Sequence, residues 1–392
     1  MTTLKVGILG YGMRAGLSRS VNAPGNDAEI AMICEISERG KADAAKAYPS
    51  VPITESTDEF FAAVDAVMVL LPDNLHAEYS IKALNAGVAV FCEKPLATTV
   101  EDADAVLRAA YESGSKLYVG HNMRHMPVVT AMREIIQSGR IGEVKAVWCR
   151  HFVGHGGDFY FKDWHADRSK STSLLLQKGA HDIDVIHWLA GAYTNRVSGM
   201  GELSVYGDLP RGGQPEGARM FDWYSLDNWP PTEQDGFNDV VDVEDISQVN
   251  MRLDGGILAS YEQCHFTPDY WRNYTVIGTK GRIENYGDGS GDTIGLWNKR
   301  HAGFAQPDEV IEVPEAEGGH GGADPRLVAE FIRFVREGGA TNTSPIAARQ
   351  AVAVGVLAAD SIRTDQGARE VPALPEELVA YFEQGQPARE NA

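Results

Sequence analysis

The stretch that decides the fold is Val6-Gly-Ile-Leu-Gly10-Tyr-Gly12-Met-Arg-Ala15, close to the start of the chain. It follows a predicted strand and leads into a predicted helix. The G-x-G-x-x-A spacing is typical of a dinucleotide-binding turn: Gly10 permits the tight turn, Gly12 lets the backbone approach a pyrophosphate, and Ala15 allows close packing of helix on strand. The free N–H groups at the start of that helix attract phosphate. The stretch therefore predicts a Rossmann domain.

Around this stretch, short apolar runs alternate with helical ones, which predicts a parallel sheet covered by helices. The apolar runs do not alternate with polar residues, as expected for strands buried on both faces. The predicted strands are 4–9, 30–34, 66–71, 88–92 and 117–119, and the predicted helices are 15–21, 58–63, 76–86 and 100–113.

Beyond about residue 123 the pattern changes to longer strands linked by Gly, Asp and Asn turns, which indicates a mostly antiparallel sheet. Strands are predicted at 144–152, 245–253, 256–265 and 274–278, and helices at 128–138, 180–189, 325–337 and 346–363. We therefore expect an α/β protein with two domains. Residues 1–123 form the Rossmann domain, and residues 124–392 form a second α/β domain whose late helices, about 325–363, pack back. Residues 207–240 are expected to be a long surface loop or lid.

Composition and charge narrow the possible partners. The chain has 392 residues with 35 Lys plus Arg and 55 Asp plus Glu, a formal net charge of −20. This balance opposes a nucleic-acid or anionic-membrane surface, because phosphate binding needs concentrated positive charge. No apolar run approaches the roughly 18–20 residues of a membrane span. The four cysteines are widely spaced, and the chain enters a strand at once, so we expect a cytoplasmic protein with reduced thiols.

Glu35 ends the second predicted strand, about 20 residues after the glycines, where a carboxylate accepts the adenosine ribose hydroxyls. It favours NAD over NADP, because a carboxylate repels a 2′-phosphate. Arg14, Arg39 and Lys41 lie close in sequence and are the residues that could weaken this preference.

A series of motifs then follows in a fixed order. A strand ends in Phe91-Cys-Glu93-Lys94-Pro95-Leu96, and the chain also carries Leu71-Pro-Asp-Asn-Leu-His76, Gly120-His-Asn122-Met-Arg124, Ser138-Gly-Arg-Ile-Gly-Glu143 and Gly179-Ala-His181-Asp-Ile-Asp184. The series resembles the Gfo/Idh/MocA oxidoreductases, such as glucose–fructose oxidoreductase and inositol dehydrogenase. The resemblance implies an N-terminal Rossmann domain and a C-terminal domain whose large open sheet carries a small carbohydrate substrate. It also implies a homodimer or homotetramer formed through that sheet.

The chemistry of alcohol oxidation fits the same residues. Oxidation of a secondary hydroxyl needs a hydride acceptor, a base and a group that stabilises the alkoxide. Lys94, after a buried strand, is the candidate for the reacting oxygen, and His181 is the candidate base. Asp184, three residues later, would orient substrate or ring. Many family members carry Asp at the position of Gln177, and a neutral amide cannot relay a proton. Lys178, which follows, adds a positive charge.

The remaining candidates come from the motifs above and from the polar, aromatic stretch 151–178. We expect the cofactor to contact Gly10, Tyr11, Gly12, Met13, Arg14, Glu35, Pro72, Asn74, His76, Glu93, Lys94, Asn122, Trp164 and His165. We expect the substrate to contact Lys94, Arg124, His155, Trp164, Arg168, Lys170, Lys178 and His181. Trp164 can stack on a sugar ring, and Arg168 or Lys170 can bind an anionic group of a uronide or sulfoquinovoside. No metal site is expected, because the histidine spacings lack a matching carboxylate motif.

Two other functions remain open at this point. The turn Gly318-Gly-His320-Gly-Gly-Ala-Asp324 resembles a segment of the NAD-dependent N-acetylgalactosaminidases of the same superfamily. Those enzymes oxidise a sugar transiently, eliminate the glycosidic group, add water and return the hydride. The second possibility is a non-catalytic dinucleotide-binding sensor, against which Lys94 and His181 argue.

Overall fold

The structure is a computed structural model that describes residues 3–212, 217–289 and 291–388. The chain divides into two compact units. The first comprises Met1–Asn122, Asp324–Val352 and Ala373–Ala392, and the second comprises Met123–Ala323 and Ala353–Pro372. This division differs from the predicted one at 123/124, which left all of residues 324–392 with the second domain.

The first unit contains a six-stranded parallel sheet with the order β3-β2-β1-β4-β5-β6, which is the strand order of a dinucleotide-binding fold. Its strands are β1 (Leu4–Leu9), β2 (Ala28–Cys34), β3 (Ile53–Thr54), β4 (Ala66–Val69), β5 (Ala89–Cys92) and β6 (Leu117–Val119). The helices among them are α1 (Glu38–Ala47), α2 (Thr57–Ala62), α3 (His76–Asn85) and α4 (Val100–Ser113). The predicted Rossmann fold is confirmed. The helix predicted at 15–21 is a 3-10 helix, Ala15–Ser20, and α1 and β3 were not predicted.

Beyond Asn122 the chain forms helices and strands of the second unit and then returns to the first. The helices are α5 (Pro127–Gln137), α6 (Arg168–Ser171), α7 (Leu174–Gln177), α8 (Gly179–Ala190), α9 (Met220–Trp223), α10 (Gly319–Glu337), α11 (Pro345–Arg363) and α12 (Glu376–Glu383). The strands are β7 (Val144–Phe152), β8 (Thr194–Glu202), β9 (Ile246–Leu253), β10 (Leu258–Cys264), β11 (Trp271–Gly278), β12 (Arg282–Tyr286), β13 (Thr293–Trp297), β14 (Glu309–Glu312) and β15 (Arg369–Glu370).

Helix α10 belongs to the first unit because its aromatic side chains complete that unit's core. The ring of Phe331 lies 5.5 Å from that of Phe91 on β5 and 5.7 Å from that of Tyr118 on β6. Phe334 packs against Tyr118 as well. All four side chains are almost fully buried, so the hydrophobic effect holds this late helix on the N-terminal sheet.

The second unit is built on a nine-stranded sheet with the order β14-β13-β12-β11-β7-β10-β9-β8-β15. Among the described strands, β7 and β10 form a parallel pair, and the other neighbours pair antiparallel, as predicted. Helix α8 packs against both β7 and β10. Phe152 and Cys264 end the parallel pair side by side, so the segments that follow them leave the sheet at the same edge. Ligands of open sheets bind at such carboxyl ends.

The opposite face of this sheet is open. Trp148, Met200 and Leu258 are each half or more exposed there, and a groove of about 460 Å³ runs beside Trp148. Exposed apolar side chains on one sheet face are typical of an interaction surface. Association of copies through this sheet stays a prediction.

Residues 207–240 were predicted to be a loop or lid. Residues 213–216 lie outside the described part of the chain, and the described remainder is anchored to the second unit by side-chain contacts. Phe237 is fully buried against Tyr206, and Tyr206 stacks on Phe161 at 4.1 Å. The indole N–H of Trp223 donates to the carbonyl of Asp158. These contacts fasten the segment to the second unit.

One described helix, α11, is long and apolar enough to cross a membrane by length and composition. Of its most apolar window, 72% is buried within the protein, as in the core helix of a globular fold.

A buried cation gives a test of the first unit. The Arg349 side chain is fully buried, and its Nε and Nη2 donate to the Asp104 carboxylate on α4 at 2.6 and 3.1 Å. We expect Asp104→Ala to lower the free energy of unfolding by about 3 kcal/mol, because it leaves a buried charge without its carboxylate. Urea denaturation measures the change. The exposed Glu112 on the same helix is the control, and Glu112→Ala should stay within about 0.5 kcal/mol of the unmodified protein. Equal effects of the two variants would contradict the assignment.

Candidate active site

The turn after β1 has the geometry that its glycines predict. Gly10 adopts a φ of 85°, and a Cβ there would lie 3.0 Å from the carbonyl oxygen of Leu70. A Cβ at Gly12 would meet nothing within 4 Å. The backbone at Gly12 is therefore open to a ligand, which fits the close approach of a dinucleotide pyrophosphate.

Glu35 lies at the end of β2, and its carboxylate faces the same turn. It accepts hydrogen bonds from the backbone N–H groups of Tyr11 at 2.6 Å and Ser37 at 2.7 Å. Each carboxylate oxygen keeps a further lone pair, so both hydroxyls of a ribose can still donate to it. The residue therefore fits the predicted adenosine contact.

The cations near Glu35 are bound to carboxylates of their own. Lys41 Nζ lies 2.6 Å from Glu38 and 2.7 Å from Glu55, and Arg39 lies 3.9 Å from Asp43. These pairs offset the positive charge that a 2′-phosphate would need, which favours NAD.

Arg14 connects the cofactor turn to the end of β5. Its Nε donates to Glu93 at 2.7 Å, and its Nη1 and Nη2 donate to Asp324 at 3.3 Å. Burial disfavours the Glu93 charge, but Arg14 and Lys94 outweigh burial and lower the pKa of Glu93. The second Glu93 oxygen accepts the Lys94 backbone N–H at 2.9 Å. The carboxylate thus links the cofactor turn to the residue predicted to be catalytic.

Asn122 lies beside the carboxylate of Asp324, which also binds Arg14. Its Nδ2 donates to Asp324 at 3.0 Å, whereas its buried Oδ1 has no hydrogen-bond partner in the described part of the chain. The carboxamide N–H of a nicotinamide is a donor of the kind that this oxygen lacks.

Three other residues predicted to contact the cofactor are exposed: Met13, Pro72 and Asn74. The residues present fit NAD.

His76 has a different surrounding from the predicted one. It is 1% exposed, and its ring nitrogens lie 2.6 Å from the carbonyl oxygen of Pro95 and 2.8 Å from that of Leu71. Both ring nitrogens therefore face main-chain carbonyl oxygens within the first unit. His76 supports the turn that carries Lys94, which follows β5 with a cis bond to Pro95, instead of presenting its ring to the cofactor.

Asp73 is a site residue that sequence reasoning missed. Its carboxyl is buried, and Oδ2 has no hydrogen-bond partner among the described residues. Burial raises the pKa of Asp73 to about 7. The positive charge of Lys94 lowers this pKa, and the negative charge of Glu93 raises it further. The only signal in the sequence was an acidic residue in the turn after β4, the strand that neighbours β5.

In the second unit, helix α8 begins with the Gly-x-His segment and is anchored by Asp182. This carboxylate is fully buried and lies 3.0 Å from His151 Nδ1, from the Tyr261 hydroxyl and from Arg272 Nε; it also accepts from the Tyr274 hydroxyl. Burial opposes its charge, but Arg272 and His151 outweigh burial and hold its pKa well below the usual range. Asp182 therefore fixes the backbone next to His181.

Arg124 and Asp184 bind each other. Arg124 Nε and Nη2 donate to the two Asp184 oxygens at 2.7 Å each, and both side chains are at least nine-tenths buried. The guanidinium also stacks on Trp188 at 4.4 Å. The pair ties α8 to the start of the second unit. The geometry therefore gives both residues a structural role; the predicted contact of Arg124 with substrate and the predicted role of Asp184 in orienting substrate or ring stay predictions.

The predicted pair Trp164 and His165 stands at one end of a row of rings. These two rings stack at 3.8 Å, His165 packs edge-on against Tyr160 at 5.4 Å, and Tyr160 packs edge-on against His265 at 5.3 Å. The charge of Lys178, just before α8, acts on His265. The predicted residues Trp164 and His165 thus belong to a row of rings whose far end is the imidazole of His265, which was not predicted as a site residue.

The other polar candidates of this stretch have different surroundings. Arg168 is exposed and lies 3.1 Å from the Asp242 carboxylate, and Lys170 is exposed. His155 packs against Tyr224 and lines a small cavity of about 50 Å³. No group of three His, Cys, Asp or Glu side chains that could hold a metal ion occurs within residues 3–212, 217–289 and 291–388.

Gly12 provides a test of the cofactor turn. We expect Gly12→Ala to leave the melting temperature unchanged, because the added methyl meets no protein atom, and to weaken NAD binding at least tenfold, because it occupies the approach of the pyrophosphate. Titration calorimetry with NAD measures the affinity. Gly16, where a Cβ is equally unobstructed, is the matched control, and Gly16→Ala should bind NAD normally. Unchanged affinity in Gly12→Ala would place the pyrophosphate elsewhere.

The buried Asp73 carboxyl predicts a pH dependence of stability. Its pKa of about 7 exceeds the unfolded value of about 3.9, so the folded chain binds the extra proton between these values and loses stability as pH rises through them. Asp73→Asn should remove this loss, amounting to about 4 kcal/mol at most, and be more stable relative to the unmodified protein at pH 8 than at pH 5. Urea denaturation at both values measures the difference. A pH-independent difference would show that Asp73 titrates normally.

Comparison with known proteins gives a consistent result over nearly the whole chain. The family model of the NAD-binding Rossmann fold of the Gfo/Idh/MocA oxidoreductases matches residues 4–121, and that of their C-terminal alpha/beta domain matches residues 133–371. The Bacillus subtilis protein YteT, named as an oxidoreductase, is 30% identical over 321 residues, which cover 68% of this chain and 72% of YteT.

Two further relatives are named for their substrates. Inositol 2-dehydrogenase of Salmonella typhimurium is 31% identical over 194 residues, and this match spans only about half of either chain (48% and 54%). A levoglucosan dehydrogenase, solved with NADH and levoglucosan, has a TM-score of 0.77 at 20% identity and covers 94% of this chain and 100% of its own; it shows the shared fold. The chain therefore belongs to the Gfo/Idh/MocA oxidoreductase family and carries its NAD-binding Rossmann domain.

Proposed function

We propose that this protein is an NAD-dependent dehydrogenase that oxidises a secondary ring hydroxyl of a sugar, glycoside or cyclitol. The observation that carries the proposal is the contact between Arg14 and Glu93. It holds the cofactor turn after β1 against the end of β5, where Lys94 follows directly. A half-buried lysine at the carboxyl edge of a dinucleotide-binding sheet is suited to act on the group that reacts with the cofactor.

Lys94 acts on the reacting oxygen. NAD, when bound, supplies the hydride acceptor. The Lys94 ammonium donates a hydrogen bond to the substrate hydroxyl and stabilises the negative charge that develops on its oxygen as the proton leaves. The neighbouring Asp73 and Glu93 keep carboxyl groups close to this ammonium.

His181 accepts the hydroxyl proton. It lies on the first turn of α8, and the neighbouring Asp182 fixes the backbone of that turn. Gln177, at the position where many family members have aspartate, has no proton to exchange at neutral pH. The Asp182 carboxylate already accepts from several donors and serves as an anchor. The proton that His181 accepts is finally released to solvent, as the net oxidation of a hydroxyl by NAD requires.

The relatives support the substrate class. One is named as an inositol dehydrogenase and another as a levoglucosan dehydrogenase, so both act on rings that carry several hydroxyls. A ring of this class also suits the aromatic row that begins with Trp164, because aromatic faces pack against the C–H faces of sugars.

The glycosidase alternative uses the same groups. The turn on which it rests leads to Asp324, whose carboxylate binds Arg14 and Asn122. These contacts serve cofactor binding in either reaction, so they favour neither, and the assay below separates the two.

The test is a single assay on myo-inositol, levoglucosan and a panel of neutral and anionic nitrophenyl glycosides with added NAD, following NADH and nitrophenol together. Accumulation of NADH without nitrophenol is the expected result. Release of nitrophenol that requires NAD while no NADH accumulates would replace the dehydrogenase with the glycosidase. Neither product with any substrate would contradict both functions.

Two substitutions test the assigned roles. Lys94→Met and His181→Gln should each lower kcat by about 100-fold or more, because each removes a group that handles charge or a proton in the transition state. NAD binding, measured by titration calorimetry, should persist in His181→Gln. The controls are the exposed residues Lys82 and His301: Lys82→Met and His301→Gln should turn over normally. Full turnover in either test variant would remove that residue from the mechanism.

A further inference from the structure

Asp73 is a buried acid at the cofactor edge of the first unit, and the mechanism above gives it no step. It lies in the turn after β4, the strand that pairs in parallel with β5. The residues on either side of it, Pro72 and Asn74, are exposed, whereas Asp73 itself is 4% exposed. The carboxyl group therefore lies just beneath the solvent-facing surface of this turn.

The strand order places the turn on the path expected for NAD. In the order β2-β1-β4-β5-β6, Glu35 follows β2, Gly12 follows β1 and Asn122 follows β6. These residues fit, in turn, the adenosine ribose, the pyrophosphate and the nicotinamide carboxamide. Asp73 and Lys94 follow β4 and β5, between the second and the third of these contacts. Neighbouring strands are about 4.8 Å apart, so the nicotinamide end of the cofactor would reach across both strand ends.

The surroundings of the Asp73 carboxyl allow its charge state to change. Oδ2 has no hydrogen-bond partner among the described residues. Burial raises the pKa of Asp73 to about 7, while the charge of Lys94 lowers this pKa and that of Glu93 raises it. Burial also raises the pKa of the Cys92 thiol and lowers that of the His76 imidazole, so both of these neighbours are neutral. A further charge close to the carboxyl therefore shifts its proton equilibrium near neutral pH.

The two redox states of the cofactor differ in the charge that produces such a shift. The nicotinamide ring of oxidised NAD is positively charged, and that of NADH is neutral. Because Asp73 is buried, a charge above the turn acts on it through a weakly screening medium, and no direct contact is needed. A cationic ring beside Lys94 is unfavourable unless a carboxylate compensates for the added charge. Glu93 is already paired with Arg14, so Asp73 is the carboxyl group left for this purpose.

We propose that Asp73 discriminates between the redox states of the cofactor by losing its proton when oxidised NAD binds and keeping it when NADH binds. The preference of the site for oxidised NAD then grows with pH. This role requires cofactor binding alone, so it goes beyond the proposed oxidation and does not depend on which substrate the enzyme accepts.

Titration calorimetry with each cofactor, repeated in buffers of different ionisation enthalpy, counts the protons released on binding. At pH 7 we expect oxidised NAD to release about 0.4 protons per site and NADH to release none, as for a pKa that falls from about 7 to about 6. Between pH 6 and pH 8, the dissociation constant of NADH divided by that of oxidised NAD should rise about fivefold. In Asp73→Asn, which has no carboxyl proton, the release should be absent and this ratio should not change with pH.

Asp65→Asn is the matched control. Asp65 is exposed, lies just before β4 at the opposite end of the same strand, and accepts the Lys5 backbone N–H at 2.9 Å. Its replacement should leave the proton release and the pH dependence as they are in the unmodified protein. Equal release with both cofactors, or a release in Asp73→Asn as large as in the unmodified protein, would overturn the proposal. An equal loss of affinity for both cofactors at every pH would give Asp73 a structural role instead. No substrate is present, so a failure of the oxidation assay would not affect these outcomes.

Discussion

The first unit depends on one ion-pair arrangement, in which the Arg14 guanidinium binds Glu93 and Asp324. These three side chains belong to three separate segments: the turn after β1, the end of β5 and the start of α10. A carboxylate as deeply buried as Glu93 is stable only when a cation compensates its charge. The pairing therefore couples the shape of the cofactor turn to the position of Lys94, and it adds a polar contact to the aromatic packing that holds α10 on the N-terminal sheet.

The second unit also contains a buried carboxylate whose charge other residues compensate. Asp182 is a fully buried carboxylate whose charge is compensated by Arg272 and whose oxygens accept from a histidine and two tyrosines. Because those partners stand on β7, β10 and β11, the start of α8 is fixed to three neighbouring strands at once. His181 therefore sits on a rigid element, and rigid support is what a group that must meet a reacting atom requires. In both units a buried carboxylate stands next to the residue proposed to take part in catalysis and holds the backbone there.

Much of the fold and of the candidate site was predictable from the sequence because the signals for them are local. The glycine spacing after β1, the unbroken apolar strands and the Gly-x-His segment each lie within a few residues of one another. The features that were missed depend on pairings between distant residues. From the sequence, Arg124 was predicted to contact the substrate and Asp184 to orient substrate or ring, and only the fold shows that they bind each other. Asp73 could be recognised only once its burial and its unpaired oxygen were known. Helix α1 was missed because only Gly40 and Ala44 of its residues are buried, so its apolar period is weak.

The difference between local sequence signals and pairings in the folded chain also bears on whether the substrate is charged. The stretch 151–178 is rich in cations, which at the level of sequence suggests an anionic sugar. In the folded chain, Lys162 lies 3.1 Å from the Asp158 carboxylate and Arg168 lies 3.1 Å from that of Asp242. A cation already paired with a carboxylate attracts an anionic ligand only weakly, because the net local charge is close to zero. Burial is the main cause that lowers the pKa values of the nearby imidazoles of His151 and His265, and the charge of Lys178 acts in the same direction. The chemistry presented by the folded chain is thus that of neutral donors and acceptors beside aromatic rings, which suits hydroxyl groups better than anions.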